Sequence, residues 1–589
     1  EPGYFDPAFL DVAIDWVKQD LAAHINTCFQ LGIQDSIDGE TNAYGQASRM
    51  AMDTSPGFPW SWQKPSGSAG KTAYFDFVDG HYVPKQEVVD AVQDICDARD
   101  LGLIKPALFR GTLKDERRDI ERVLEAKTRI FTAGPMEKVI ADRMLFLTFI
   151  KQFKDARLKL QHAYGINPEG LEWNEMIHQH INMGSHHFGF DYSGFDASES
   201  LVLLDSVSKC IASCYYPYDA RRIECSGIES FNHFVVIDGD LFHYHQGNPS
   251  GCTMTTIYNT IANWILLSYS WIKLAIAEGA PLTRSHFKEN CVIHAYGDDF
   301  IGTVSDNAQW FNGDTIPPIL ESCGVKATAP DKGEISKFSK FEDLVFLSRY
   351  FVKNPFDGPE SMIVGPLPKS LIEEIPMWYY KGADKTDYTS TIRTCVRSAA
   401  LWGRDYFQWY LGKMRMTKTG REFLDYIDTE SIFLEVSRPF TSGLRAFVSK
   451  PFIYFGPGRT NEYSPELIKH VLYKGFDLGS WDAAFGFAMA LSAQDPNPSR
   501  FCGMDKLKAR QAIDKMRKSG FVWEEKTLLY HVQGILESFL EGNSHARDAL
   551  KASCEAVLVY WVKDSRLGSG ISPELKPETF LSFGGKNFV

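Results

Sequence analysis

Two adjacent carboxylates at a tight turn are the residues in this chain best placed to do chemistry. The stretch Cys291–Val304 reads as two short apolar strands joined at Gly297-Asp298, with Asp298 and Asp299 side by side at the tip of the hairpin. Mutual repulsion raises the pKa of such a pair unless a cation neutralises it. Mg²⁺ suits the position, because it takes hard oxygen ligands and is commonly held by one or two carboxylates plus substrate phosphates. Taken alone, Gly-Asp-Asp fits a solvated hairpin turn equally well.

Other stretches supply candidate partners. Phe188-Gly189-Phe190 reads as the end of a buried strand with Asp191 just past it, where metal ligands and capping aspartates both occur. A turn over Tyr192–Phe195 and a helix from Ser198, its expected N-cap, follow; Leu201, Leu204, Val207 and Ile211 form the apolar face. The Gly/Pro/Ser loop Gln246–Thr253 opens a helix running to about Ala277. On that helix Thr255, Asn259 and Asn263 recur at i, i+4 and i+8 in one polar row. Burying such a row without partners is costly, so it either bonds neighbouring helices or reads a substrate. Between Lys105 and Arg129 eight cations face five acids, opposite in sign to the whole chain. Arg129 leads an Arg-Ile-Phe-Thr strand, and an arginine fork suits phosphate. Two prolines and a glycine make Met52–Trp60 an extended, kinked loop, either a guide for a polymer strand or a plain connection.

These stretches must be positioned by a chain of 589 residues, which is expected to divide into lobes. A 44% hydrophobic content excludes wholesale disorder, and a net charge of −13 argues against a uniformly basic coat. The cysteines lack Cys-x-x-Cys pairs and the histidines lack zinc-finger spacing, which suggests a reduced, intracellular protein without structural zinc. No signal peptide is visible, and Ile261–Ala277 carries enough polar residues to read as a buried helix rather than a membrane span. Starting at Glu1 without Met, the chain is expected to be a processed or truncated product, such as a piece cut from a polyprotein. Phe5–Leu31 has helical periodicity, Leu344–Val352 reads as a strand, and Leu371–Tyr380 and Thr391–Leu411 read as helices. A Pro/Gly/aromatic connection, Arg438–Pro465, precedes a helical C-terminal part.

The order of these stretches resembles one family. Asp-x4-Asp, Gly-x-Pro-Ser-Gly-x3-Thr-x3-Asn, Tyr-Gly-Asp-Asp, a Lys-bearing turn and Phe-Leu-x-Arg are similar to palm motifs A to E of viral RNA-dependent RNA polymerases. Lys-Asp-Glu-Arg…Lys-x-Arg resembles motif F, and Thr-Ser-x-Gly-Phe-Pro resembles motif G. The match runs over roughly residues 50–435 and is nearest in wording to the picornavirus-like enzymes of the order Picornavirales.

The resemblance implies a multi-lobed α+β right hand with fingers, a palm built on an antiparallel sheet of RRM-like type, a helical thumb and a C-terminal helical extension. Fingers would take residues 1–185 and 201–245, and the palm 186–200 and 246–355. The thumb would take 356–450, and 451–589 an extension or enlarged thumb. It implies RNA synthesis from NTPs by a two-metal mechanism, with Mg²⁺ (Mn²⁺ able to substitute) on Asp191, Asp298 and an assisting Asp299. Lys332 would protonate pyrophosphate. Arg129, Lys114 and Arg118 would hold the triphosphate, Asp196 with Thr255 and Asn259 would sense the ribose, and Ser250 and Gly251 would form the flexible loop. Phe346, Leu347, Ser348 and Arg349 would grip the primer, and Thr54 and Ser55 would guide the template. Partners would be RNA template and primer, NTPs, a VPg-like protein primer and other viral replication proteins. The expected location is the host cytoplasm, in replication complexes tied to membranes through other proteins, with no transmembrane segment of the chain's own. Two departures stand out: part of the usual N-terminal fingers is missing before Thr54, and the chain continues well past a usual thumb. A reverse transcriptase, a non-catalytic RNA-binding scaffold and, more remotely, a glycoside hydrolase are the competing readings. The Asp196/Asn259 pair favours ribonucleotides over the first, and the intact acids oppose the second.

Overall fold

Three antiparallel strands and one long helix hold the centre of the chain's first compact unit. The computed structural model describes residues 3–39, 41–42, 45–46, 48–116, 120–329, 333–378 and 385–441. Beyond these it describes the short strands Phe452–Phe455, Val471–Tyr473, Phe476–Leu478 and Val557–Tyr560. Two units result: Glu1–Pro168 with Glu172–Val352, and Glu169–Leu171 with Lys353–Val589.

In the first unit the central sheet has the order Cys291–Tyr296, Asp299–Val304, His186–Phe188. Tyr296 opposes Asp299, and Gly302 opposes Phe188, whose ring would lie 2.3 Å from any Cβ at Gly302. Strand alternation cannot show here, because Cys291–Ala295 and Phe300–Val304 are buried on both faces. Against the sheet packs the helix Thr255–Glu278, ended by Gly279 at φ 66°. By length and composition it could cross a bilayer, yet Ile265, Leu266 and Trp271 are fully buried in the core, which accounts for its apolarity. Each such side chain contributes about 1.5–3 kcal/mol by leaving water. The helix Pro7–Ala22, capped by Asp6, packs on it, and Tyr269 Oη accepts a bond from the Asp6 N–H at 2.9 Å.

A second, mixed sheet of the same unit has the order Asp240–Tyr244, His233–Ile237, Leu108–Leu113, Ile130–Ala133. Leu108–Leu113 runs parallel to His233–Ile237 and antiparallel to Ile130–Ala133. Beside it, the helices Gln86–Asp100, Met136–Asp155 and Pro217–Phe231 enclose a four-membered ion cluster. Arg99 bonds Asp142 at 2.7 Å and Glu229 at 2.6 Å, and Lys138 bonds Asp142 at 2.7 Å.

The second unit is helical over Lys369–Glu374, Lys385–Ala400, Arg404–Met416, Lys418–Leu424 and Thr429–Ser437, packed on Ile392, Val396, Phe407, Leu411 and Phe433.

Several local expectations change. The helix expected from Ser198 begins at Leu201, and its N-cap is Ser200, whose hydroxyl accepts from the Leu203 N–H; Phe195–Ser198 is a separate helical turn. Asp191 lies within a two-residue strand, Asp191–Tyr192, paired with Ala327–Thr328. Leu344–Val352 is no continuous strand: Val345–Phe346 folds back on Arg349–Tyr350 through Leu347 and Ser348, at φ 52° and 58°. Thr391–Leu411 is two helices, broken where Gly403 takes φ 88°. The helical reading of the C-terminal part lies outside the described residues, apart from the four short strands.

Candidate active site

The turn Gly297-Asp298 is shaped by glycine and held by the long helix. Gly297 takes φ 65°, its N–H donates to Thr260 Oγ1 at 2.8 Å, and its carbonyl accepts from Asn263 Nδ2 at 3.1 Å. Asn263 Oδ1 in turn accepts from the Tyr192 hydroxyl at 2.9 Å. One buried asparagine thus ties the hairpin tip to the strand that carries Asp191. This part of the polar row serves the scaffold; Thr260 has no counterpart in the sequence reading, and Tyr192 figured there only as the start of a turn.

Asp298 and Asp191 are exposed, whereas Asp299 is half-buried. Asp299 Oδ2 accepts the Leu347 N–H at 2.7 Å, aimed there by the left-handed Leu347-Ser348 turn. Burial, with the charges of Asp298 and Asp191, pushes Asp299 up to about 7 against that bond. Burial and the charge of Asp298 also raise Asp191. Asp196 rises through burial and Asp298, in spite of its bond from Asn259. Like charges converging with no cation paired to them among the described residues, and with oxygen-only donors, fit a hard divalent ion. Among the described residues no three His, Cys, Asp or Glu side chains form a metal cage by themselves, so substrate phosphates and water would complete the shell.

Beside the acids lies a hydrogen-bonded chain. Asn248 Nδ2 donates to Asn259 Oδ1 at 2.6 Å, Asn259 Nδ2 donates to Asp196 Oδ1, and the Asn248 N–H donates to the Asp196 carbonyl at 2.8 Å. Thr255, expected beside Asp196, instead donates to the carbonyls of Pro249 (2.8 Å) and Cys252 (3.1 Å), closing the loop ahead of its helix. Asn248 takes the place expected for Thr255. Nothing but its position in Gly-Asn-Pro-Ser-Gly could have marked it.

That loop docks on the strand after Arg129. Ser250 Oγ accepts the Thr132 N–H at 3.0 Å, and a Cβ on Gly251 would fall 2.2 Å from the Thr132 carbonyl oxygen. Arg129 is exposed and forks onto Glu116 at 2.7 and 2.8 Å, with Lys114 on the same carboxylate at 3.2 Å. The hydrogen bond from Arg129, then Lys114, pulls Glu116 down to about 2. Glu116 therefore holds the cations expected to hold a triphosphate. Arg118 and Lys332 lie outside the described residues.

The remaining candidates are spread out. Thr54 and Ser55 are exposed, but the Thr54 hydroxyl is occupied by Lys71, whose ammonium also bonds the carbonyls of Ala51 (3.1 Å) and Thr54 (3.2 Å). Burial brings Lys71 down to about 8. Phe346, expected at the primer, is fully buried and stacks on Trp173 at 6.1 Å. It anchors the hairpin and has no surface for RNA; Ser348 is exposed, Leu347 and Arg349 half-buried.

Comparison with known proteins accords with this arrangement. The profile of the family described as Viral RNA-dependent RNA polymerase matches residues 8–425. The chain is 30% identical over 380 residues to the genome polyprotein of Rice tungro spherical virus (strain A), covering 61% of this chain and 11% of that one. It is 28% identical over 376 residues to the replicase polyprotein of Drosophila C virus (strain EB), covering 60% and 21%. The chain thus spans only a small part of the polyproteins it matches. Its fold is similar to that of a Sicinivirus 3Dpol RNA-dependent RNA polymerase, with TM-score 0.59 and 21% identity over 74% of this chain and 87% of that one. The chain belongs to the viral RNA-dependent RNA polymerase family, its relatives are polyproteins of picorna-like viruses, and it shares the fold of such polymerases.

Proposed function

We propose that this chain extends an RNA primer along an RNA template from NTPs, copying a positive-strand viral genome, with Asp191 and Asp298 as metal ligands and Asp299 assisting. The observation that carries the reading is the convergence of Asp191 and the Asp298-Asp299 turn from separate strands, where Asp298 raises Asp191 and both raise Asp299. Polymerases of this family use a divalent metal; here the oxygen donors favour Mg²⁺, with Mn²⁺ as a substitute. When bound, the metal lowers the pKa of the primer 3′-hydroxyl and neutralises the triphosphate.

The protein's own part is positioning and charge stabilisation, which suffices for phosphoryl transfer. Arg129 and Lys114 release Glu116 to take the triphosphate, joined by Arg118. Lys332 supplies the proton to departing pyrophosphate. Asp196 and Asn259 meet the ribose 2′-hydroxyl, while Asn248, Thr255, Ser250 and Gly251 hold the loop around it. Thr54 and Ser55, kept in place by Lys71, guide the template, and Leu347, Ser348 and Arg349 meet the primer. A protein primer and other viral replication proteins complete the working assembly, in membrane-associated complexes of the host cytoplasm.

Primer extension by the full-length protein tests this reading. Elongation with NTPs that is lost in Asp298→Asn is expected; no elongation, an unchanged Asp298→Asn, or a preference for dNTPs would overturn it.

A further inference from the structure

One carboxyl beside the site has no part in the proposed mechanism. Glu199 ends the helical turn that carries Asp196. Its N–H donates to the Phe195 carbonyl at 3.2 Å and its carbonyl accepts from the Gly247 N–H at 3.1 Å. In the same seam Gln246 Nε2 donates to the Ala197 carbonyl at 3.1 Å. The backbone is therefore pinned between the Asp196 turn and the Asn248 loop. The side chain is 0% exposed, and neither carboxyl oxygen has a hydrogen-bond partner among the described residues. Leaving a buried polar group unpaired is costly, and more so if it is charged. Burial, then the charges of Asp196 and Asp298, raises this carboxyl well above the ordinary glutamate value, which favours its protonated form. A protonated carboxyl has one O–H to donate.

Asp196 presents the complement. Its Oδ1 accepts from Asn259, and among the described residues no hydrogen bond reaches Oδ2. A buried donor without an acceptor and a carboxylate oxygen without a donor thus share one turn, three residues apart.

We propose that Glu199 is a positioning residue for sugar selection: it donates its O–H to the free oxygen of Asp196 when a nucleotide draws Asn259 toward the ribose, and so holds Asp196 facing the 2′-hydroxyl. This rests on the assignment of Asp196 and Asn259 as the sugar-reading pair. An unpaired acid kept in the core of the nucleotide-free enzyme is then a cost in stability retained for selectivity.

The test compares full-length wild type, Glu199→Leu, Glu199→Gln and Asn259→Ala in primer extension, measuring kcat/KM for an NTP and its dNTP, together with Tm. Glu199→Leu is expected to raise Tm and to lower the NTP-over-dNTP ratio about tenfold, the size of one lost hydrogen bond, by slowing NTP use alone. Glu199→Gln keeps a neutral donor and is expected to hold the ratio within about threefold. Asn259→Ala should lower the ratio whatever Glu199 does. If Glu199→Leu is more stable and equally selective while Asn259→Ala loses selectivity, the role of Glu199 is overturned and the sugar-reading pair stands. Unchanged selectivity in Asn259→Ala overturns the pair and this proposal together. A tenfold loss in Glu199→Gln overturns the donor role even if the leucine variant does not fold.

Discussion

Two clusters of charge in the first unit, one buried and one reaching the surface, obey opposite rules. Among the helices beside the mixed sheet, Arg99, Lys138, Asp142 and Glu229 have side chains no more than 5% exposed, and two cations meet two anions. Ser226 completes Asp142 with a bond at 2.8 Å. Burial pushes Asp142 upward, but Lys138 and Arg99 outweigh it, so its carboxyl lies below the usual range. Around the hairpin tip Asp191, Asp196, Asp298 and Asp299 carry charge of one sign beside the buried Glu199, and N–H donors reach only some of them: Leu347 and Phe300 at Asp299, Asn259 at Asp196. Asp299 and Glu199 accordingly move up, not down. Charges that hold the scaffold are neutralised within the protein, while charges meant for a ligand are left for the ligand to neutralise. The Arg129–Glu116 fork is intermediate: it is paired, but at the surface, where a stronger anion can exchange for Glu116.

The contrast can be broken at either end. Asp298→Asn should reduce elongation by roughly a thousandfold while leaving Tm unchanged or higher, because it relieves repulsion, as single-turnover kinetics and thermal melts will read. Asp142→Ala should do the reverse. It leaves Arg99 and Lys138 with an uncompensated buried charge and should cost about 3–5 kcal/mol in denaturant unfolding, with activity falling only as the folded fraction falls.

The pH dependence of stability should have opposite signs in the two groups. Asp142 is depressed in the fold, so its contribution is complete above the ordinary aspartate value and is lost as pH falls through the folded value. Asp142→Asn should remove that part of the acid transition. Asp299 is raised to about 7, so metal-free protein should lose stability as pH climbs from about 4 toward 7, and Asp299→Asn should flatten that slope. Denaturant midpoints in EDTA across this range check both; slopes of one sign would erase the distinction. The smallest effect is at the surface. Glu116→Gln should lower the NTP KM about twofold to fivefold by freeing Arg129, and Arg129→Ala should raise that KM more than it weakens RNA binding.

How much of this was legible differs from residue to residue. The Gly297-Asp298 turn and its flanking strands could be read directly, because a two-residue hairpin is specified by neighbours in sequence. The polar row Thr255, Asn259, Asn263 was equally visible, but its division of labour was not. Thr255 closes a loop, Asn259 meets Asp196, and Asn263 ties Tyr192 to Gly297. Periodicity gives a face and says nothing of what each turn of that face meets. Glu116 and Glu199 looked like ordinary acids. One is distinguished only by an arginine thirteen residues away and the other only by complete burial.

Local sequence was enough for the turn chemistry, the short motif spacings such as Asp191 to Asp196, and the local sign of charge, since each depends on residues within a few positions of one another. Tertiary structure decided which charges would be paired and which left open. That choice depends on burial and on partners brought from distant helices, as when Arg99 meets Glu229 across 130 residues, while the charge of Asp298 acts on the acids Asp191 and Glu199.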